Sequence, residues 1–322
     1  MVLGAAFLAP RSAARAQQAG AFARMGFAAR GMALGNALVA DRAGGAASYY
    51  NPALAAYGER EVEAAFALLR ADRELQFLRF RTPLPPRAGI AGGLIHAGVD
   101  AIDGRDESGY HTRTYATDEF AGSVDFGLRF GDRIGAGIGL RVYRSSLVPD
   151  VPAANTLGLR VGVLARLTDR ITAGVAVDDL LAGYQWDSSS LYGQNGTRVS
   201  DPFPLRIRLG TSARLLEDDL HVHLAYAPNW VRADRFVAGV GLVGGVPRGI
   251  SRTEEGSDWE GSWRAGAEWR ASSSFWLRAG VSGMRWSAPR PVEPSAGFLI
   301  RESVRDWPLR IAYTAVLEPY VG

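Results

Sequence analysis

The chain has 322 residues, room for one large β domain or two ordinary domains, and its 39 glycines and 16 prolines favour many turns over long helices. A formal charge of +3, from 36 Lys and Arg against 33 Asp and Glu with no clustered basic run, leaves no footprint for nucleic acid. With no cysteine, disulfides, thiolate metal sites and cysteine nucleophiles are all excluded.

The chain opens on "MVLGAAFLAP", a short apolar run, and Ala14-Arg15-Ala16 ahead of Gln17 forms an A-x-A-like cleavage site. Residues 1–16 are expected to be a signal peptide, so the protein is exported, although the positive flank that usually precedes such a run is missing. No later stretch of roughly 18 apolar residues can form a transmembrane helix. An exported chain of this kind is periplasmic, secreted or an outer-membrane barrel.

An Ala/Gly-rich segment follows and ends in "SYYNPALAAYGE", Ser48 to Glu59. Asn51 can cap a helix, and Pro52 suits a first turn because it lacks an N–H that would go unpaired there. A short helix "NPALAAY" is expected just ahead of the first strand.

From residue 59 onward the pattern has period two. In "EFAGSVDFGLRFGDRIGAGIGLRVY", residues 119–143, Phe120, Val124, Phe126, Leu128 and Phe130 fall on one face. Asp125 and Arg129 fall on the other. After the tight turn "GDR", Ile134, Ile138, Leu140 and Val142 alternate with glycines, Arg141 and Tyr143, which predicts an antiparallel hairpin. "TLGLRVGVLARL" continues the pattern with Arg160 on its polar face, and "ITAGVAV" leads to Asp178. "PLRIRLGTSARLL" sets Arg206 and Arg208 opposite leucines and an isoleucine, and "SWRAGAEWRASSSFWLRAGVSG" does the same with Arg264, Glu268 and Arg278.

A soluble β-sandwich would turn the apolar face inward, whereas a transmembrane barrel turns it to lipid and keeps Gly, Arg, Asp and Glu in the lumen. The segments run about 10 to 14 residues, the length of tilted membrane strands rather than the 5 or 6 of globular sheets. Short turns "GDR", "TDR", "EDD" and "SSS" alternate with long polar connectors starting at Asp100, Gly183 and Gly245, as in outer-membrane barrels. The fold class expected is all-β, a transmembrane antiparallel barrel of about 14 strands. Turn parity places "RFVAGVGLVGG", residues 235–245, in a protruding extracellular excursion rather than in the wall. The same parity leaves the chain ending outside at "YVG", so a closing strand is expected to be missing at the C-terminus.

Three motifs that could mislead lack their context. Gly239-x-Gly241-x-x-Gly244 has no following helix, which argues against a dinucleotide site. His221 and His223 share a strand face without a third metal ligand. Ser282 sits in "GVSGM", which is not a nucleophile elbow. No catalytic residue, cofactor or metal is expected, and the protein is not read as an enzyme. Asp125, Arg129, Arg141, Arg160, Asp178, Arg206, Arg208, Arg264, Glu268 and Arg278 are expected to face the lumen together, as a structural polar network or as a selectivity filter.

Read from Gly31, "GMALGNALVADRAGGAASYYNPALAAYGEREVEAAF" resembles the N-terminal signature of the PorV/PorQ family, in which a Gly-rich A-L-G-x-A stretch, an A-D and a Y-x-N-P-A precede strand one. The "DR" hairpins, "PLRIRLGTSARLL" and "WRAGAEWRASSSFWLRAGVSG" extend the resemblance over most of residues 25–316. Trp269 in place of the family's usual tyrosine, Leu54 after Ala53, and the missing closing strand depart from it. The resemblance implies an outer-membrane barrel of fourteen strands similar to the fatty-acid transporter FadL. It also implies a role in type IX secretion, as a carrier that binds the C-terminal sorting domains of secreted cargo by extracellular loops or as a translocon partner. The alternative is a FadL-like channel for hydrophobic small molecules, with the N-terminal segment as a plug. A soluble exported β protein is a third reading. On the barrel reading, residues 17–58 form a plug carrying the motif Tyr49, Tyr50, Asn51, Pro52, Ala53 and Leu54. Residues 59–322 form the wall, and the partners are outer-membrane lipid with secreted cargo and translocon, or a hydrophobic ligand.

Overall fold

The computed structural model describes residues 19–43, 47–70, 72–147, 150–243, 246–285, 292–304 and 307–317, so the expected signal peptide lies outside the described residues. In chain order the strands are β1 (Glu61–Leu68), β2 (Arg73–Leu84), β3 (Ala88–Arg105), β4 (His111–Phe130), β5 (Ile134–Ser146), β6 (Ala154–Arg166), β7 (Ile171–Leu180), β8 (Gly183–Asp187), β9 (Arg198–Pro202), β10 (Leu205–Leu215), β11 (Leu220–Val243), β12 (Val246–Arg270), β13 (Phe275–Met284), β14 (Glu293–Val304) and β15 (Trp307–Val316). Thirteen of them pair antiparallel in the order of the chain, while β8 and β9 form a separate two-stranded sheet within one connector. This is the fold of an outer-membrane β-barrel.

The sheet is inside out relative to a soluble protein, for the reason its alternation suggests. On β5, Ile138, Leu140 and Val142 are exposed, whereas Arg141 and Tyr143 between them are buried. The same inversion on β4 exposes Val124 and Phe126 and buries Asp125. Apolar side chains facing lipid and polar ones facing a filled lumen are the condition under which a barrel crosses a bilayer. Among the described residues no helix is long and apolar enough to cross.

Two departures from a plain cylinder matter. Strands β11 and β12 pair from Leu220↔Trp269 out to Val243↔Val246. Their wall neighbours stop earlier, β10 at Trp230 and β13 at Trp263. Residues 231–243 and 246–258 therefore stand clear of the wall as a two-stranded ribbon on the long-loop side, which is where 235–243 falls; residues 244–245 lie outside the described residues. The second departure is a seam. An odd number of antiparallel strands leaves β1 and β15 running in the same direction. Among the described residues they share no ladder, only an Arg310 Nη2 to Glu61 Oε2 contact of 3.3 Å. The short helix α1 (Ala28–Ala33) lies inside against β13, β14, β15 and β1, and Thr314 Oγ1 donates to the Ala29 carbonyl at 2.6 Å.

Candidate functional site

The lumen is occupied by the chain's own N-terminal segment, and the wall is shaped to receive it. Backbone of residues 33–40 and 52–56 touches the strands where the lumen face carries glycine rather than a side chain. A Cβ on Gly137 would stand 2.3 Å from Ala53 N, one on Gly174 2.4 Å from the Val39 carbonyl oxygen, and one on Gly266 2.5 Å from that of Leu34. These glycines appear in the sequence as mere members of a polar face. The legible signal was their recurrence on the lumen side of strand after strand.

Asn51, fully buried, fixes the segment to the wall. Its side chain accepts from Ala53 N at 3.0 Å, capping a 3-10 turn over Pro52–Ala56 in place of the α-helix that the motif suggests. The turn closes with i→i+3 bonds, Leu54 N to the Asn51 carbonyl at 3.0 Å and Tyr57 N to that of Leu54 at 3.1 Å, and the backbone is already extended at Tyr57, leaving only five residues for it. Asn51 Nδ2 faces three carbonyls, those of Val39 within the segment at 3.0 Å and of Val163 and Val175 in the wall at 3.1 and 3.3 Å. Pro52, Ala53 and Leu54 are buried, Leu54 clustering with Leu164 of β6. Tyr49 Oη donates to the Ala23 carbonyl at 2.5 Å, and Tyr50 Oη lies 2.6 Å from Asn36 Oδ1.

A belt of charge surrounds this seat. Arg160 Nε donates to Asp178 at 2.7 Å and Nη1 to Asp125 at 2.9 Å, while Nη2 donates to the Tyr49 carbonyl at 2.5 Å and to that of Ser48 at 3.3 Å. Arg208 Nε donates to the other Asp178 oxygen at 2.8 Å, and its Nη2 reaches the Tyr49 carbonyl at 3.2 Å. Arg141 stands 5.1 Å from the centre of the Tyr49 ring, and Arg208 stands over both tyrosines at 5.6 and 5.7 Å. Two buried guanidiniums sharing one carboxylate and each turning an Nη2 to the Tyr49 carbonyl couple the segment to the wall by charge-assisted bonds.

The remaining network residues fall elsewhere. Glu268 and Arg278 form a second group, Arg278 Nε to Glu268 at 2.6 Å, joined from the segment by Arg30, whose Nη2 reaches Glu268 at 2.9 Å and whose Nη1 pairs with Asp41. Burial pushes the Asp41 carboxyl up, but the Arg30 guanidinium more than offsets this and holds it below the ordinary carboxylate value. Arg206 lies cross-strand from Asp178 and is buried, with no acceptor at Nη1 among the described residues; Nε and Nη1 of Arg264 likewise have none. Arg129 stands apart at the short-turn end, donating to the Pro86 carbonyl at 3.0 Å. No local pattern marks Arg30, because its partner Glu268 is 238 residues away, and Asp41 takes its role only through Arg30.

Above the belt, towards the long loops, the lumen is filled by aromatic rings. Tyr143 meets Phe203 at 4.7 Å and Phe22 at 6.4 Å, Phe203 meets Tyr184 at 4.9 Å, and Phe27 meets Phe77 at 4.8 Å. Phe203 and Tyr184 come from the β8–β9 connector, so a long connector contributes directly to this aromatic layer. Below the seat, at the short-turn end, a cavity of about 1420 Å³ opens between the segment and the strand ends. Among the described residues no group of three metal-ligating side chains exists; His223 instead hydrogen-bonds Ser212 at 2.8 Å.

No protein-family model matches the sequence, nor does any curated protein. Solved structures share its fold. The Pseudomonas putida toluene transporter TodX aligns with a TM-score of 0.55 at 14% identity, covering 90% of this chain and 95% of its own. The Ralstonia pickettii toluene transporter TbuX aligns at 0.53 and 15%, over 90% of this chain and 97% of its own. A Pseudomonas aeruginosa FadL homologue aligns at 0.54 and 14%, over 89% and 87%. Likeness at this identity is likeness of fold: a FadL-type barrel.

Proposed function

We propose that the protein is an outer-membrane channel for hydrophobic small molecules, with residues 17–58 as a plug that must shift for passage. The observation that carries this reading is the order of layers along the lumen: aromatic rings outermost, the plug held at Asn51 and Tyr49 in the middle, and an open polar cavity beneath. An apolar solute entering from outside meets apolar rings first. It then meets a barrier made of hydrogen bonds and ion pairs between plug and wall, which can break and re-form without unfolding the barrel. Two of the structures sharing the fold are named as toluene transporters, which supports the solute class. The test is uptake of a monoaromatic such as toluene into proteoliposomes. Saturable uptake that rises when the Asn51 seat is removed supports the reading, and rates equal to protein-free liposomes overturn it.

A second reading, carriage of secreted proteins in type IX secretion, is favoured by the ribbon of β11 and β12, which presents free backbone length outside the wall, and by the Y-N-P-A segment's resemblance to the PorV/PorQ family. On this reading the outer loops hold cargo sorting domains. Deleting residues 235–254 would then abolish cargo retention at the cell surface and leave toluene uptake unchanged.

A further inference from the structure

The cavity at the short-turn end is strongly cationic. Among the described residues it is lined by twelve arginines against six carboxylates. Most of those carboxylates are already engaged. Glu61 pairs with Arg79, Arg81 and Arg310, Glu268 with Arg30 and Arg278, Asp41 with Arg30, and Asp218 with Arg214. What is left is a group of guanidiniums in excess: Arg42 from the N-terminal segment, and Arg129, Arg166 and Arg170 from three separate strand ends and turns of the wall.

Arg42 and Arg129 converge on one ring, standing 4.7 and 5.9 Å from the centre of Tyr57. Among the described residues neither has a carboxylate at ion-pair distance, and the buried Nε of each has no acceptor. The nearest carboxylate to Arg166 is Asp169, at 3.8 Å and almost fully exposed. Burial, and then the like charges of Arg166, Arg214 and Arg129, hold Arg42 below its ordinary value. Left alone, this cluster pushes the plug away from the wall at the point where the plug enters.

We infer that a small multivalent oxyanion of the phosphate class binds here and bridges Arg42 of the plug to Arg129, Arg166 and Arg170 of the wall. Planar guanidinium forks donating from several directions suit a tetrahedral oxyanion, which offers an oxygen to each. The site is recessed within the mouth, where a small ion enters and a protein surface does not. Its consequence is a clamp: the anion turns repulsion between plug and wall into attraction, so its concentration on the short-turn side sets how firmly the plug is held. The clamp rests on the plug reading, whereas the binding site itself does not.

The test uses the full chain in detergent, titrated calorimetrically with inorganic phosphate at constant ionic strength, with chloride as the control anion. Saturable heat is expected for phosphate and none for chloride. Arg42→Gln and the double variant Arg166→Gln with Arg170→Gln should each weaken binding at least tenfold, with unchanged heat-modifiable gel mobility as evidence of folding. Absence of saturable binding, equal heats with chloride, binding of an acidic peptide in place of phosphate, or full-strength binding by Arg42→Gln overturns the inference. Channel conductance then separates the two ideas. If phosphate binds but neither phosphate nor loss of the Asn51 seat alters conductance, the site stands and the plug reading falls.

Discussion

Asn51 and Gly162 meet with no space for a methyl group between them: a Cβ on Gly162 would lie 2.0 Å from Asn51 Oδ1. A fully buried residue of the N-terminal segment is thus admitted by the absence of one side chain on β6. Gly162→Ala should force the cap out of place at a cost of about 1–3 kcal/mol, as overpacking usually does. Gly122→Ala, where nothing lies within 4 Å of the added carbon, should be neutral. Urea unfolding in liposomes compares the pair, and equal stabilities would refute a tight seat at β6.

Asn51→Ala together with Pro52→Ala should leave the carbonyls of Val39, Val163 and Val175 without their shared donor, costing about 1–3 kcal/mol. The seat loosens and single-channel conductance rises. Asn51→Asp should be worse than alanine, because a carboxylate would face those three carbonyl oxygens. Unchanged conductance in both variants reduces the motif to a local cap.

Asp178 holds Arg160 and Arg208 at once, so Asp178→Asn should leave two buried guanidiniums short of charge and destabilise the barrel by about 3–5 kcal/mol. Asp125→Asn should cost less, because Arg160 keeps Asp178. The heat-modifiable gel transition ranks the two. A larger effect at Asp125 would show that the shared carboxylate is not the centre of the belt.

Period two made the wall, its inversion and the lumen-facing arginines legible in the sequence, because alternation reports burial wherever one face meets lipid. Turn parity placed residues 235–243 outside the wall for the same reason. Partners across the lumen were not legible: Arg30 with Glu268, or Tyr49 with Arg160, meet only once the sheet curls around the segment, and no local pattern encodes that curvature. The motif at Asn51 reads as a helix cap, yet two of its hydrogen bonds run to β6 and β7, more than a hundred residues away. Of the ten polar residues expected to face the lumen together, four form one ion-pair group around Asp178, Glu268 and Arg278 belong to a second, and Arg129 lies at the mouth, while Arg141, Arg206 and Arg264 form no ion pair among the described residues. Arg160 and Arg278 share a polar face in the sequence but are held by different carboxylates.

The Asp41 carboxyl is held low by Arg30, so its contribution to the seat is complete at neutral pH and disappears as pH falls through its folded value. Thiol labelling of Ala47→Cys is a clean measure, since the chain has no native cysteine. Labelling should be slow and level from pH 8 to about 5 when corrected for thiolate content, then accelerate below about pH 4. Asp41→Asn should label faster at pH 7. Acceleration already at pH 6 would point to histidine instead.

Phe203→Ala removes the ring that joins the external connector to Tyr143 and Tyr184. Monoaromatic uptake should rise several-fold while barrel stability falls by about 3–5 kcal/mol or less, the usual range for a buried phenylalanine. Slower uptake would mean that the ring guides solute rather than sealing against it.

The ribbon of β11 and β12 has a mechanical consequence. Thirteen residues, 231–243, continue β11 beyond its last pairing with the wall, and at about 3.4 Å per residue they reach roughly 40 Å, more than the thickness of the hydrocarbon core. The same two strands descend without interruption to Gly266, against the plug backbone at Leu34, and to Glu268, which grips Arg30. The distal ribbon and the contacts at Gly266 and Glu268 thus lie on one continuous strand, β12, so a load on the ribbon runs along the same backbone that touches the N-terminal segment.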